Sequence, residues 1–136
     1  MKLTVIIPVY NEINSIEILL NKVLEVPINK QIIVVDDCST DGTRNKIIND
    51  YKNRIDKLIL HETNQGKGAA IRSAQKYVNG EYVIIQDADL EYYPKDYSIL
   101  LDKIRSNKNN QVVYGSRVLK SNEINNPQNF THKIRI

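Results

Sequence analysis

Hydrophobic residues along the chain fall into two alternating patterns. At five places, short segments are dominated by Val, Ile and Leu, and most of them lack the in–out alternation of a half-exposed strand. Such continuous apolar character is typical of strands covered on both faces. Strands are therefore predicted at Leu3–Val9, Gln31–Asp36, Lys57–Leu60, Glu81–Gln86 and Gln111–Tyr114.

Segments of helical period separate these strands. Between residues 16 and 24, apolar residues recur at three- and four-residue spacing, with Asn14 as the predicted N-cap. Further helices are predicted at Thr43–Arg54, Gly68–Val78 and Pro94–Ile104, the last of which opens on a proline that suits a first helical turn. The alternation predicts an α/β fold of three layers, a mostly parallel sheet with helices on both faces.

Composition limits the possible function classes. The chain has 136 residues, of which 41% are hydrophobic and 26% charged, as in a globular protein. No apolar run approaches the roughly 20 residues that a membrane-spanning helix needs. A single cysteine excludes an internal disulfide and fits a cytoplasmic protein. The net charge is only +3 and no Lys/Arg run dominates, so we expect no nucleic-acid partner.

Polar turns follow four of the predicted strands, at the edge of a parallel sheet where ligands bind. In one of them, Asp87 and Asp89 flank an alanine directly after a strand. Two carboxylates in one cleft repel each other, and a divalent cation relieves this repulsion. The sequence therefore predicts a metal site at Asp87 and Asp89, with Glu91 as a further candidate ligand.

The turn after the second strand offers a different chemistry. Asp36 can accept a hydrogen bond from a nucleobase N–H or a ribose hydroxyl. We expect Asp37 to hold the turn through the amides of Ser39 and Thr40, while Thr43 caps the next helix. His61, like His132, is expected to be a surface or capping residue.

Glycine patterns exclude two large classes of nucleotide-binding protein. The chain contains neither Gly-x-Gly-x-x-Gly nor the phosphate-loop motif, which disfavours dinucleotide dehydrogenases and phosphate-loop NTPases. The segment Gly66–Gly68 has two interpretations. It is either a tight turn that lets a helix approach the sheet, or a site where Lys67 or Arg72 lies near a sugar or diphosphate.

Five motifs follow one another along the chain. They are Val5–Glu12, Val34–Thr43, Asn64–Gly68, Asp87–Leu90 and Gly115–Arg117. Taken in order, these motifs resemble family 2 glycosyltransferases of the GT-A fold, and they look most like the dolichyl-phosphate mannosyltransferase and polyprenyl-phosphate glucosyltransferase branch. The resemblance covers residues 3–117 and implies a Rossmann-like nucleotide-diphospho-sugar transferase fold.

The resemblance also implies roles for individual residues. Asp87 and Asp89 would bind Mg²⁺ or Mn²⁺, whereas Glu91 stands where this branch often has Gln. Arg117 would bind an acceptor phosphate, with Arg135 as a second candidate, and Asp89 and Arg117 would be the catalytic residues. Nucleotide-sugar binding is implied for Pro8, Tyr10, Glu12, Val34, Asp36, Asp87, Ala88 and Asp89.

The implied activity is metal-dependent, inverting transfer of a hexose from a UDP- or GDP-sugar to polyprenyl or dolichyl phosphate, at the cytoplasmic face of a membrane. Two alternatives stay open: transfer to a saccharide hydroxyl in cell-surface polysaccharide synthesis, and a nucleotide-sugar-binding fragment without turnover. We expect residues 1–136 to form a single GT-A domain at the N-terminal end of a longer protein. Residues 118–136 would be a loop and the start of an acceptor-side region, and membrane association would come from the C-terminal continuation or a partner.

Overall fold

A computed structural model describes residues 2–106 and 112–113. Its described strands form one four-stranded sheet in the order β3-β2-β1-β4, and every neighbouring pair is parallel. The strands are β1 (Leu3–Val9), β2 (Lys30–Asp36), β3 (Lys57–Leu60) and β4 (Tyr82–Ile85). The helices are α1 (Ile16–Glu25), α2 (Thr43–Lys46), α3 (Lys67–Gln75) and α4 (Tyr97–Arg105). The expected α/β class with a mostly parallel sheet is confirmed.

The chain divides into two compact units, residues 1–95 and residues 96–136. The first unit contains the sheet and helices α1 to α3, and the described part of the second contains α4. No described helix is long and apolar enough to span a bilayer. The prediction of a single domain over residues 1–136 stays a prediction.

Strand β1 lies inside the sheet and is buried along all seven of its residues. On one face, Ile6 packs in a core cluster with Ile33 of β2 and with Ala70 and Ala74 of α3. The small alanine side chains, four residues apart, let the helix approach the sheet closely. Residues of opposite parity in β1 are equally buried, so its second face is covered as well.

A proline ends the pairing of β1 with β4. The two strands pair from Leu3 to Ile6, and the last contact is a 2.9 Å hydrogen bond from Gln86 N–H to the Ile6 carbonyl. Because strand residues alternate in direction, the next group of β1 to face β4 would be the N–H of residue 8, which Pro8 lacks. The register between β1 and β4 therefore ends at Ile6 and Ile85.

Three predicted helices differ from the observed ones. Helix α1 is N-capped by Ser15 rather than Asn14, and the Ser15 hydroxyl bonds the Glu12 carboxylate at 2.5 Å instead of a helical amide. The segment predicted as Thr43–Arg54 is α-helical only to Lys46 and continues as a π-helical stretch, Ile47–Tyr51. In the segment predicted from Pro94, residues 94–96 form a 3₁₀ turn before α4. The fifth predicted strand, Gln111–Tyr114, lies largely outside the described residues.

A buried polar network lies at the amino ends of β1 and β2. The Thr4 hydroxyl donates to the Gln31 side-chain carbonyl at 2.8 Å, and the same carbonyl accepts the Asn79 N–H at 3.0 Å. The Gly80 N–H donates to the Thr4 hydroxyl at 3.0 Å. The network thus fixes the loop that leads into β4 against β1 and β2.

We predict that Gly80→Ala destabilises the chain. A Cβ at this position would lie 2.6 Å from Thr4 Oγ1, 2.7 Å from Thr4 N and 2.8 Å from the Lys2 carbonyl, so the backbone must shift. Overpacking of this kind costs about 1–3 kcal/mol, measurable by urea unfolding followed by circular dichroism. Gly68→Ala is the matched control, because its Cβ would meet only the end of Arg72 at 3.5 Å. Equal stability of the two variants would contradict the prediction.

Candidate functional site

The loops that follow β1 and β2 are tied together by side chains of the second loop. The Glu12 N–H donates to the Thr43 hydroxyl at 2.9 Å, and the Ile13 N–H donates to Asp41 Oδ2 at 3.1 Å. Asp41 Oδ1 in turn accepts the Thr43 hydroxyl and amide. The turn residues therefore have a structural role and fix the backbone of the first loop, but the prediction that Thr43 caps the next helix is wrong. The N-cap of α2 is Gly42, and the Thr43 hydroxyl bonds Glu12 and Asp41 instead of a helical amide.

A cavity of about 270 Å³ opens at the carboxyl edge of the sheet. The ends of β1, β2 and β4 and the first turns of α3 supply its walls. Six of the eight residues predicted to bind a nucleotide sugar line it, and Val34 and Asp36 do not. The lining consists of Pro8, Val9, Tyr10, Glu12, Asp37, Lys67, Ala70, Asp87, Ala88 and Asp89.

Asp36 is completely buried at the end of β2. Its Oδ2 accepts hydrogen bonds from Arg44 Nε at 2.6 Å and from the Ser39 N–H at 3.2 Å. Its Oδ1 has no hydrogen-bond partner within the part of the chain that the structure describes. A buried carboxylate oxygen without a donor is costly, so Oδ1 is an acceptor that a ligand N–H or O–H would satisfy.

Asp37 ties the end of β2 to the loop before α3. Its Oδ2 accepts the Gly66 N–H at 2.6 Å, and its Oδ1 accepts the Gln65 N–H at 2.9 Å. The expectation that Asp37 binds the amides of Ser39 and Thr40 is wrong. The Ser39 amide bonds Asp36 instead, and the Thr40 amide bonds Asn11 Oδ1 at 2.8 Å.

His61 extends this connection and is not the surface residue that the sequence suggested. It is buried, with Nδ1 at 2.7 Å from Asp37 Oδ1 and Nε2 at 2.9 Å from Ser73 Oγ. Ser73 lies within α3, so the imidazole connects the end of β2 to the body of the helix. A lone histidine carries no periodic signal, and its partner Asp37 lies 24 residues earlier in the chain.

Asp87 and Asp89 lie where β4 ends, and both line the cavity. Asp87 Oδ1 is 2.5 Å from the Lys67 ammonium, whereas Asp89 Oδ1 accepts the Glu91 N–H at 3.0 Å. The buried Gln86 side chain donates to the Asp87 carbonyl at 3.0 Å and helps to fix this loop. Glu91 is not among the residues that line the cavity.

The two aspartates can be tested as ligands of a hard divalent cation. Among the described residues, no group of three or more acidic, histidine or cysteine side chains is placed to hold a metal. Mg²⁺ and Mn²⁺ accept sites with one or two carboxylates when water and phosphate oxygens complete the coordination shell. Asp87 and Asp89 both line the cavity and would suit such a shared site, in which a diphosphate would supply further oxygens.

Three non-glycine residues with positive φ lie at the same edge. They are Asn11 (φ 53°), Cys38 (φ 66°) and Leu90 (φ 65°), in the loops after β1, β2 and β4. Asparagine tolerates this conformation, but cysteine and leucine adopt it rarely, at a cost of about 1–3 kcal/mol each. Backbone strain is thus concentrated around the cavity, as is common at functional sites.

Nearly the whole chain matches the model of a known family. A family model described as Glycosyl transferase family 2 matches residues 4–134. The chain belongs to glycosyltransferase family 2. The dolichol-phosphate mannosyltransferase of Pyrococcus furiosus is 30% identical to this family 2 chain over 128 residues, which cover 93% of this chain and 36% of that protein.

Solved structures of the family share the fold. Staphylococcus aureus TarS 1–349 in complex with UDP-GlcNAc matches with a TM-score of 0.66 at 32% identity, over 78% of this chain and 32% of that one. Mannosyltransferase PcManGT from Pyrobaculum calidifontis, in complex with GDP-Man and Mn²⁺, matches with a TM-score of 0.61 at 32% identity, over 69% and 29%. The expected GT-A fold is confirmed. The family 2 chain spans two fifths or less of the curated relatives it matches.

Two of the predicted site residues lie outside the part of the chain that the structure describes. Arg117 and Arg135 lie outside the described residues, as does the Gly115-Ser116-Arg117 motif. Their assignment to an acceptor phosphate stays a prediction.

We predict that the stability provided by Asp37 disappears in acid. Burial raises the pKa of Asp37, but hydrogen bonds from Gln65, His61 and Gly66 outweigh burial and hold this pKa below the ordinary 3.8. A lowered folded-state pKa stabilises the protein above the unfolded value and loses this effect as the pH falls through the folded value. Asp37→Asn should therefore cost about 1–3 kcal/mol at pH 7, and the cost should shrink as the pH falls below 3.8.

Urea unfolding of both proteins at pH 7 and pH 3 measures this difference. Asp50→Asn serves as the control, because it removes an exposed carboxylate that pairs only at the surface, 3.4 Å from Lys46. A cost of Asp37→Asn that stays the same at both pH values would show that its charge does not hold the loop.

Proposed function

We propose that this chain carries the nucleotide-sugar site of a metal-dependent, inverting hexosyltransferase. The complete protein would transfer a hexose from a UDP- or GDP-sugar to a polyprenyl or dolichyl phosphate. The observation that carries the proposal is the convergence of Asp87, Asp89 and the loop after β1 on one cavity at the carboxyl edge of the sheet. Membership of glycosyltransferase family 2 supports the reaction class.

The nucleoside would bind between the ends of β1 and β2. Asp36 Oδ1, buried and lacking a donor among the described residues, suits a nucleobase N–H or a ribose hydroxyl. Tyr10 lines the cavity with 48% of its surface exposed, so its ring is available to a base or sugar. Pro8 and Glu12 would complete this part of the site, and Val34 would support it from within β2.

The diphosphate would bind near the end of β4. Asp87 and Asp89 would hold Mg²⁺ or Mn²⁺ beside Ala88, with Glu91 as a further candidate ligand. The cation, when bound, neutralises the charge that develops on the departing diphosphate. The proposal is supported by the PcManGT structure, which contains Mn²⁺ together with GDP-Man.

The acceptor distinguishes two versions of the reaction. A lipid phosphate is already ionised and can attack the anomeric carbon without a general base, and Arg117 would position it, with Arg135 as a second candidate. A saccharide hydroxyl requires a carboxylate base. The Pyrococcus relative favours the lipid phosphate, whereas the similarity to TarS, a poly(ribitol-phosphate) β-N-acetylglucosaminyltransferase, favours a hydroxyl acceptor.

We predict metal-dependent binding of a nucleotide diphosphate that requires Asp89. UDP, GDP, UDP-glucose and GDP-mannose are titrated by calorimetry with Mn²⁺ or with chelator. One base should bind in the presence of Mn²⁺, and Asp89→Asn should weaken this binding at least tenfold, because it removes a charged metal ligand. Asp50→Asn, which also removes an exposed carboxylate but at a surface ion pair with Lys46, should leave the binding unchanged. A folded chain that binds none of the nucleotides would refute the proposed site.

The acceptor is identified by where the sugar goes. The sugar donor identified by calorimetry is supplied in radiolabelled form together with Mg²⁺. When polyprenyl phosphate is the acceptor, we expect the label to appear in the organic phase. Label that appears only in a water-soluble saccharide acceptor would establish the alternative reaction. Nucleotide binding without transfer to either acceptor would identify the chain as a binding domain.

A further inference from the structure

Lys67 begins helix α3 at the wall of the cavity. Its position follows from the turn before it, because Gly66 adopts a φ of +84° and donates its N–H to the buried Asp37 carboxylate. Residues with a side chain rarely adopt such a φ. The turn therefore fixes where the helix starts, and with it the direction from which the lysine enters the cavity.

The Lys67 ammonium already neutralises the carboxylate that a metal would need. Nζ lies 2.5 Å from Asp87 Oδ1, which is direct ion-pair distance. A divalent cation bound to this oxygen and the ammonium cannot occupy the same place, and at close range the two would repel each other. Lys67 and a metal that binds Asp87 through Oδ1 are thus competing partners of this oxygen.

The ion pair is exposed enough to be exchanged. The Lys67 side chain is 56% exposed and that of Asp87 is 28% exposed, so water screens the pair and its net stabilisation is small. A released lysine stays tethered at the cavity wall by its own helix. There it is well placed to meet a second anion, and the diphosphate of a nucleotide sugar is the anion expected in this cavity.

We propose that Lys67 is a built-in counter-cation of Asp87. A divalent metal displaces the lysine from Asp87, and the displaced lysine then binds the diphosphate of the donor. The inference rests on the proposed function, since it assumes the metal and the nucleotide. It gives Lys67 two effects of opposite sign. In the free protein the lysine opposes metal binding, and in the metal-loaded protein it favours the nucleotide.

The test measures the two effects separately by calorimetry, on the full chain. The first titration uses Mn²⁺ alone, and the second uses the preferred nucleotide diphosphate at saturating Mn²⁺. Lys67→Met should bind Mn²⁺ about two- to fivefold more tightly than the wild type, which is the range expected for loss of a partly exposed ion pair. The same variant should bind the nucleotide several-fold more weakly.

Two matched variants separate the ion pair from charge and from folding. Lys76→Met removes the same charge just after the end of α3, where the ammonium lies over the Tyr77 ring at 5.3 Å, and should change neither affinity. Lys67→Arg keeps a cation within reach of Asp87 and should restore Mn²⁺ affinity toward the wild-type value. Far-ultraviolet circular dichroism confirms that each variant is folded.

Each other outcome overturns the inference. Equal Mn²⁺ affinity of Lys67→Met and wild type means that the lysine does not compete with the metal. An equal gain in Lys76→Met reduces the effect to overall charge. If only the exchange of Lys67 for the metal is wrong, wild type and Lys67→Met bind Mn²⁺ and the nucleotide equally well. If the proposed function is wrong, the wild type itself does not bind the nucleotide.

Discussion

Convergence of negative charge at one edge is the constraint on which this structure depends. Parallel strands end together, so the carboxylates that follow them are brought close to one another. Each needs a cation or hydrogen-bond donors, and the chain supplies different ones to each: Arg44 bonds the first, His61 and two loop amides the second, Lys67 the third and the Glu91 amide the fourth. The carboxylates concerned are Asp36, Asp37, Asp87 and Asp89.

Burial divides these carboxylates into two kinds. Those that follow β2 are buried and bonded mainly within the protein, so they organise the loops around them. Those that follow β4 are at least partly open to solvent, and the lysine that meets one of them is itself exposed. The same residue type therefore builds the site on one side and offers replaceable contacts on the other. Asp36 differs from both kinds, because one of its oxygens is bonded by Arg44 and the other has no hydrogen-bond partner among the described residues.

Local patterns predicted the order of the described strands and helices but not every helix boundary, and contacts between distant residues were beyond them. The bounds of β1 and β3 follow directly from continuous apolar runs, and the turn at Asp41 was readable from Asp-Gly, although the expected helix cap at Thr43 was not found. The connection from Asp37 to His61 and the pair of Lys67 with Asp87 each join residues 20 or more positions apart. The periodicity of the sequence cannot predict these two contacts, because they depend on how the strand ends come together in space.

Pro8 has a further consequence for how the cavity is kept open. A strand extends its pairing only while each residue can donate an N–H, and the pairing of β1 with β4 stops where that donor is missing. Beyond this point the two strand ends are no longer a register pair, and Pro8 and Asp87 both line the cavity that lies there. A ligand that bound in this cavity would therefore not have to break the ladder between β1 and β4. A site that is already open in the free protein spends less of the binding free energy on rearranging the protein.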